Sequence, residues 1–353
     1  MIESHLAQMT VAITGLNAAD NPAPGVAVAR CLRQAPEFRG TLIGLTFDHR
    51  HTGLYASEIF DKVFVIPAPA RGVDAFCRAL AEICETNPIQ ILIPTLDPEV
   101  LLAARAGELL SRMGIRCLIP EERQIKRRAK AVLPELAQQV GFSSPRTLLL
   151  SSNAALAMAT KAFSFPFYLK GSFTDAQLVR NQIEAEWAFA RLLRQWGLPL
   201  LAQERVSGEE IDLALLVDRR HRLIGAVPMK KLGVTDRGKG WAGITVLMPE
   251  VVEMAEQLVR ALQWVGPAEL EMIHDPMSGV VQVIEMNPRF PAWIALSHDA
   301  GQNLPWMAVQ LAVGAPVTPV KEYKVARLFT RSVADFFYPY ERMATFAEIE
   351  TRL

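Results

Sequence analysis

The chain has 353 residues but only four cysteines: Cys31, Cys77, Cys84 and Cys117. None is in C-x-x-C spacing and each sits among apolar residues. That argues against a zinc site or a disulfide framework and for buried thiols in a reducing compartment. The six histidines are scattered, so no Ser/His/Asp or Cys/His constellation is in view. An excess of one charge is missing too. Lys+Arg and Asp+Glu each total 37, for a net charge of zero, which speaks against a basic surface for nucleic acid and against an acidic disordered tail. The local cluster Lys126, Arg127, Arg128 reads as a solvated helix face. Long apolar runs are also lacking: stretches such as LLLSSNAALAMAT are interrupted and short for a membrane span. The opening MIESHLAQMT has an early glutamate and no apolar secretion core. The expectation is a soluble, cytoplasmic protein with no nucleic-acid or membrane partner. Finally, ADNPAPG (19–25) is not G-x-G-x-x-G, so a dinucleotide site is weakly supported.

What is present begins with hydrophobicity. Half of the residues are apolar, too many over this length for one small core, and two or three subdomains are expected. Over 1–120 short apolar runs alternate with helical periodicity. Strands are predicted at 9–16, 40–48, 62–67, 89–97 and 116–120, with helices at 25–35, 73–87 and 99–114. This alternation implies a Rossmann-like parallel sheet covered by helices. Ligands in such sheets sit at the carboxyl ends of the strands, where the candidates are Asn17, Asp20, Asn21, Asp48, Thr95 and Asp97. As single residues these also read as helix caps and turn residues.

From about 130 onward the pattern becomes antiparallel α+β. Helices are predicted at 126–140, 151–163, 184–197 and 249–264. Strands are predicted at 165–170, 199–206, 211–218 and 221–233. AELEMIHD and GVVQVIEMN then form a hairpin across PMSG. The predicted organisation is a Rossmann-like unit at 1–120, a small lid unit at 121–200 and a C-terminal unit at 201–353 that carries the hairpin.

The chemistry concentrates in that hairpin. QVIEMNPRF (282–290) places Glu285, Asn287 and Arg289 at every second position, so the carboxylate and the amide share one strand face. The preceding strand carries Glu269 and Glu271. If His274 pairs with Val280, Glu271 lies opposite Val283, one diagonal step of roughly 7–8 Å from Glu285. Two carboxylates and an amide oxygen converging on one spot repel unless a cation joins them. An all-oxygen set without His or Cys suits Mg²⁺, which commonly takes one or two carboxylates plus substrate phosphates. Arg289 would reach a phosphoryl or carboxylate oxygen bidentately. A solvated face of a half-buried hairpin would account for Glu269 and Glu271, but not for E-x-N-P-R.

With these residues in place, GPAELEM…VVQVIEMNPRF closely resembles the metal-binding hairpin of the ATP-grasp superfamily, in the branch with biotin carboxylase and the carbamoyl-phosphate synthetase large subunit. The resemblance implies a Rossmann-like N-terminal domain followed by a two-subdomain ATP-grasp fold. It implies ATP as cosubstrate, with Mg²⁺ or Mn²⁺ held by Glu271, Glu285 and Asn287, and Arg289 at the transferring phosphate. Lys130 and Lys170 match the family's two ATP lysines: Lys130 by its offset from the turn GFSSP, Lys170 by ending the strand PFYLK. The aspartate that usually precedes the first lysine is Ala129 here. LLAQERVSGEE resembles the hinge segment. It would place Glu204, Arg205 and Val206 at the adenine and Glu210 at the ribose. The loop after Lys170, KGSFTDAQLV, departs from the family's glycine-rich lid, which works as a nest of backbone N–H groups, and Asp175 adds negative charge to it. The basic stretch TDRGKGWAG (235–243) offers Arg237 and Lys239 for a substrate lid, or is a flexible loop. His298 would face the acceptor site, or is a structural histidine.

The implied activity is ligation of a small-molecule carboxylate to an amine through an acyl phosphate, with ATP converted to ADP and phosphate. Catalysis would be mostly positioning and electrostatic stabilisation. The alternatives are a biotin-carboxylase-like or carbamoyl-phosphate-forming enzyme, and a nucleotide-binding regulator with decayed catalysis, which the atypical loop would favour. A homodimer is compatible with either enzyme. The sequence does not name the carboxylate or the amine.

Overall fold

The computed structural model describes residues 6–18, 22–128, 132–171, 175–235, 238, 240–332 and 335–352. Three sheets organise them. In the first, β1 (Thr10–Ile13), β2 (Thr41–Thr46), β3 (Lys62–Val65) and β4 (Ile91–Ile93) run parallel in the order β3-β2-β1-β4. The helices Gly25–Arg33 and Val73–Thr86 make the crossovers. The strands are shorter than their apolar runs suggest, because each run continues into loop backbone past the last paired residue. Residues 116–120 contribute one parallel bridge, Ile91 to Arg116, and no full strand. The predicted helix 99–114 is two helices, Asp97–Arg105 and Gly107–Arg112, broken at Ala106.

The second sheet is small and antiparallel. Its strands are β5 (Thr147–Leu150), β6 (Phe167–Lys170), β7 (Ala176–Val179) and β8 (Leu200–Glu204), in the order β5-β8-β6-β7. Helices Asn153–Ala162 and Gln182–Trp196 bury Leu156, Ala159, Ala185, Ala188, Phe189 and Leu192 against it. The side chains of Ser152 and Asn181 accept from the first helical N–H groups and fix both helix starts. The predicted helix 126–140 is Glu122–Arg127 and Leu133–Gln139; residues 129–131 between them, Lys130 included, lie outside the described residues.

The third sheet has six antiparallel strands: β9 (Glu209–Val217), β10 (Leu223–Val234), β11 (Gly240–Thr245), β12 (Gly266–His274), β13 (Val281–Asn287) and β14 (Leu328–Thr330), in the order β13-β12-β9-β10-β11-β14. The stretch read as a glycine-rich loop is a strand from Gly240 onward. Helix Pro249–Leu262 covers one face with Leu133, Leu136 and Trp264. On the other side one apolar cluster runs from Val11, Ile13, Leu32 and Ile91 to Ala214, Leu216, Phe290 and Trp293. The parallel-sheet unit and the large antiparallel sheet therefore share a core. Helices Ala295–Asp299 and Leu304–Ala312 close that core, and a last helix, Tyr340–Arg352, returns to the parallel sheet, where Tyr338 stacks on Tyr55 at 3.8 Å. Among the described residues no helix is long and apolar enough to cross a membrane. Cys31 and Cys77 are buried as expected, while Cys84 and Cys117 are only half-buried.

The carboxyl ends of β1 and β4 are tied by a polar knot. Thr95 donates from its hydroxyl to the Thr14 carbonyl at 2.9 Å, and the Thr95 N–H donates to the Thr14 hydroxyl at 3.0 Å. Thr14 in turn donates to Glu99. Gly15 has φ +70°, and a Cβ there would lie 2.1 Å from Thr95 Oγ1, so only glycine fits the strand exit. Glu99 is 3 % exposed, and its Oε1 has no hydrogen-bond partner among the described residues. Burial pushes this carboxyl up to about 7. Between its ordinary value near 4.5 and about 7, the folded chain binds the extra proton, so stability falls as pH rises through that window and levels off above it. Glu99→Gln should therefore match the wild type near pH 4.5 and exceed it by roughly 3 kcal/mol at pH 8 in urea unfolding. A constant difference across that range would refute the assignment.

Candidate active site on the antiparallel sheet

The hairpin forms as the sequence suggests, but in a different register. His274 pairs with Val281, not Val280, and a bulge between Glu271 and Met272 leaves Ile284 unmatched. Glu271 is consequently directly opposite Glu285, and Glu269 opposite Asn287. Direct neighbours stand about 4.5–5.5 Å apart at Cβ, closer than the diagonal expected. On the other side of β12, β9 sets Asp212 opposite Glu271. Three adjacent strands thus present carboxylates in one row.

Glu269 is not the solvated residue that a half-buried hairpin would give. It is 5 % exposed, and its carboxylate accepts three bonds: from Trp293 Nε1 at 2.9 Å, from Asn287 Nδ2 at 3.1 Å and from Arg289 Nη1 at 3.1 Å. Asn287 Nδ2 also donates to Glu271 Oε1 at 2.9 Å. Both carboxylates thus hold the amide nitrogen, which leaves Asn287 Oδ1 as the group to offer a cation. Together with Glu271 and Glu285 this is an all-oxygen donor set of the kind Mg²⁺ or Mn²⁺ takes.

Arg289 is clamped from two units. Its Nε donates to Asp97 Oδ1 at 3.1 Å, and Asp97 Oδ2 accepts from Arg128 Nη2 at 2.7 Å. Arg128 also donates to the Met286 carbonyl at 2.9 Å. Arg128 is therefore a half-buried tie between the parallel sheet and the hairpin, unlike its neighbour Lys126, which is the solvated residue expected. Burial alone would lower the Arg289 guanidinium, but Asp97, Glu269 and Glu271 outweigh it and hold it above its ordinary range.

Two site residues have no motif of their own. Asp212, in the apolar run IDLALLV, is 2 % exposed. Lys231, near the end of β10, places Nζ 3.2 Å from Glu210 Oε2, 3.2 Å from Asp212 Oδ1 and 3.8 Å from Glu271 Oε2. The Asp212 contact is an ion pair without hydrogen-bond geometry, since Oδ1 remains unsatisfied. Burial pushes Asp212 up, with Glu271 and Glu269 adding to the shift and Lys231 opposing it. Burial works to lower Lys231, yet Asp212, Glu271, Glu210 and Glu269 keep it charged. A lone acid inside an apolar strand was the available signal for Asp212.

The other predicted residues have separate surroundings. Lys170 ends β6, is 7 % exposed and donates to Gln203 Oε1 at 2.6 Å. Glu204 ends β8, where its carboxylate accepts from the Arg146 N–H at 2.7 Å. Arg205 is exposed and Val206 half-buried in the connection to β9. Glu210 meets Lys231. His298 sits half-buried on the short helix Ala295–Asp299, beside the Asp299–Arg327 pair. Lys130, Arg237 and Lys239, like Asp20 and Asn21, lie outside the described residues. Asp175 does not leave its charge loose in the loop after Lys170. Arg191 grips it bidentately at 3.0 and 3.1 Å. Of the strand-end candidates, Thr95 and Asp97 are engaged as described. Arg50 takes the Asp48 carboxylate and lowers it to about 2.

Known proteins resemble this chain in sequence and in fold. Residues 198–331 match the family described as "ATP-grasp in the biosynthetic pathway with Ter operon". The chain is 24 % identical over 288 residues to the carbamoyl phosphate synthase large chain of Thermotoga petrophila, covering 75 % of this chain and 26 % of that protein. The same protein of Thermotoga maritima matches with the same identity and the same coverage. The chain thus spans about a quarter of the length of these relatives. Its fold resembles the biotin carboxylase domain of the Hydrogenobacter thermophilus 2-oxoglutarate carboxylase, solved as a dimer with MgADP, ADP and bicarbonate. The TM-score is 0.70 at 15 % identity, over 90 % of this chain and 73 % of that one. It also resembles an L-amino acid ligase from Bacillus licheniformis, with a TM-score of 0.65 at 16 % identity over 88 % and 75 %.

Because buried Glu269 satisfies three donors, two of them buried, Glu269→Ala should cost about 3–5 kcal/mol in chemical denaturation. Glu210→Ala, at the exposed end of the cluster, should cost less than about 1 kcal/mol. Equal losses would show that Glu269 is not the hub.

Proposed function

We propose that this chain, by fold and hairpin a member of the ATP-grasp superfamily, is an ADP-forming ligase that joins a small-molecule carboxylate to an amine. The observation that carries the reading is the row Asp212, Glu271 and Glu285 beside the pair Glu269–Asn287, with Lys231 on the row and Arg289 on Glu269. Such a row offers cation ligands and two fixed positive charges in one place. Glu271, Glu285 and Asn287 would hold the metal, which supplies charge neutralisation on the β- and γ-phosphates. Lys170, on the small sheet, binds a phosphate oxygen, and Lys130 serves the same phosphates. Glu204, Arg205 and Val206 line the adenine side and Glu210 the ribose. Arg237, Lys239 and His298 belong to the acceptor side.

In the first step a carboxylate oxygen attacks the γ-phosphorus and the bond to the bridging β,γ-oxygen breaks, giving an acyl phosphate and ADP. In the second step the amine nitrogen attacks the acyl carbon, phosphate leaves and the amine loses a proton. Arg289 is fixed for both steps by Asp97 and Glu269, so it stabilises the transferring phosphate without reorganising. The likeness to an L-amino acid ligase supports the amine-consuming reading. The likeness to carbamoyl phosphate synthase supports a second reading, in which bicarbonate is the carboxylate.

ADP and phosphate release on a panel of carboxylates with and without amines separates these readings. Turnover that needs both partners supports the ligase. Bicarbonate-dependent turnover without an amino acid supports the second reading, and no turnover with retained ADP binding supports the decayed regulator. In the active system Glu285→Gln should lower turnover at least a hundredfold with the thermal midpoint unchanged within a few degrees. Wild-type turnover in that variant would sink the assignment.

A further inference from the structure

Resting on the reading above, we infer that Lys231 is a built-in counter-ion that a divalent cation must displace from Glu271, so that the metal loads with nucleotide and poorly by itself. The side chain of Lys231 is 6 % exposed and is surrounded by oxygen: Glu210, Asp212 and Glu271 carboxylates, and the Gly238 carbonyl at 3.5 Å. Asp212 is buried on β9, and its Oδ1 is held by the Lys231 ion pair at 3.2 Å without a well-formed hydrogen bond. The ammonium therefore offsets part of the negative charge of the carboxylate row. That lets three neighbouring strands pair despite their like charges.

The same arrangement works against free metal. A divalent ion bound to Glu271 would sit at about 2.0–2.1 Å from its oxygen, while the ammonium stands 3.8 Å from the same carboxylate. The two cations repel across a short, poorly solvated gap. Mg²⁺ also gives up its water reluctantly, whereas the tethered ammonium competes at high local concentration. A nucleotide changes the balance, because its phosphates offer the displaced ammonium another anion to pair with. Metal and nucleotide affinities are then linked, each raising the other by the same factor. Lys231 is in this sense a positioning residue: it sets the order of loading through Glu271.

The test is Mn²⁺ binding, followed by electron paramagnetic resonance, with and without ADP, on the full chain. Without ADP, Lys231→Met should bind Mn²⁺ at least tenfold more tightly than the wild type. The factor by which ADP strengthens Mn²⁺ binding should shrink at least tenfold in the variant. Should Lys231→Met alone fail to fold for want of a partner for Asp212, the double variant Lys231→Met with Asp212→Asn removes both charges. It should show the same tightening, because Glu271 and Glu285 remain. Mn²⁺ affinity without ADP that is equal to or below the wild type in the folded variant overturns the inference. Failure of the wild type to bind ADP overturns the nucleotide reading instead, and is seen in a separate arm of the same titration.

Discussion

Like charge crowded on neighbouring strands is the constraint around which this structure is arranged. Glu269 and Glu271 on β12 face Asn287 and Glu285 on β13, and Asp212 on β9 stands beside Glu271. Carboxylates directly opposite one another destabilise a sheet, and burying them raises the cost further. Two cations answer it from opposite ends of the row, Lys231 at the Asp212 end and Arg289 at the Glu269 end. Arg289 in turn needs a place to be held. Asp97 supplies it from the parallel-sheet unit, with Arg128 completing the pair. The electrostatic solution in the hairpin is thus also a joint between two units of the chain, and it lies beside the apolar core that those units share.

Some of this was legible in the sequence and some was not, for identifiable reasons. The hairpin and its polar residues stood out because a carboxylate, an amide and a guanidinium in step at the end of an apolar run have no packing explanation. The register did not stand out. The bulge at Ile284 has no local signature, since an isoleucine fits either strand face, and one unmatched residue moves Glu285 from a diagonal to a direct neighbour of Glu271. Lys231 was hidden by its separation from its partners. It meets Asp212, 19 residues earlier, only once β9 and β10 have paired, and it meets Glu271 only once β12 has joined them. The short strands β5 and β7 were hidden by their length, four residues each. β11 was hidden by its glycines, which read as loop until the neighbouring strands supply the pairing. Arg128 was misread as a surface charge because its partners, Asp97 and the Met286 carbonyl, are remote in sequence.

The loop after Lys170 departs from a glycine-rich pattern, and the structure gives that departure a physical content. Asp175 takes φ 74° and closes the turn, with the Gly171 N–H donating to its carbonyl at 3.0 Å. Its carboxylate faces Arg191 on the helix Gln182–Trp196. The charge that would oppose phosphates is thereby paired with a guanidinium. An aspartate in this position is therefore no argument against an anion nearby.

The parallel sheet raises the opposite question: why its strand ends should not hold the phosphates, as the switch point of such sheets commonly does. The space between β1 and β4 is filled by Thr14, Thr95 and Glu99. A polyanion placed there would meet a buried carboxyl with an unsatisfied oxygen, and no glycine fingerprint provides a ring of free N–H groups to offset it. The helix Gly25–Arg33 is committed as well, since the Gly25 N–H donates to the Gly15 carbonyl at 3.1 Å and a Cβ at Gly25 would lie 2.2 Å from the Thr14 carbonyl oxygen. Among the described residues, helix and strand are in contact at Gly25 and Thr14. Across the joint, the antiparallel sheet offers Arg289, Lys231 and an oxygen set for a divalent ion. The N-terminal unit keeps the topology of a nucleotide-binding sheet, but its polar groups are spent on holding β1, β4 and Arg289 in place, and the proposed reading accordingly puts the phosphates on the hairpin side.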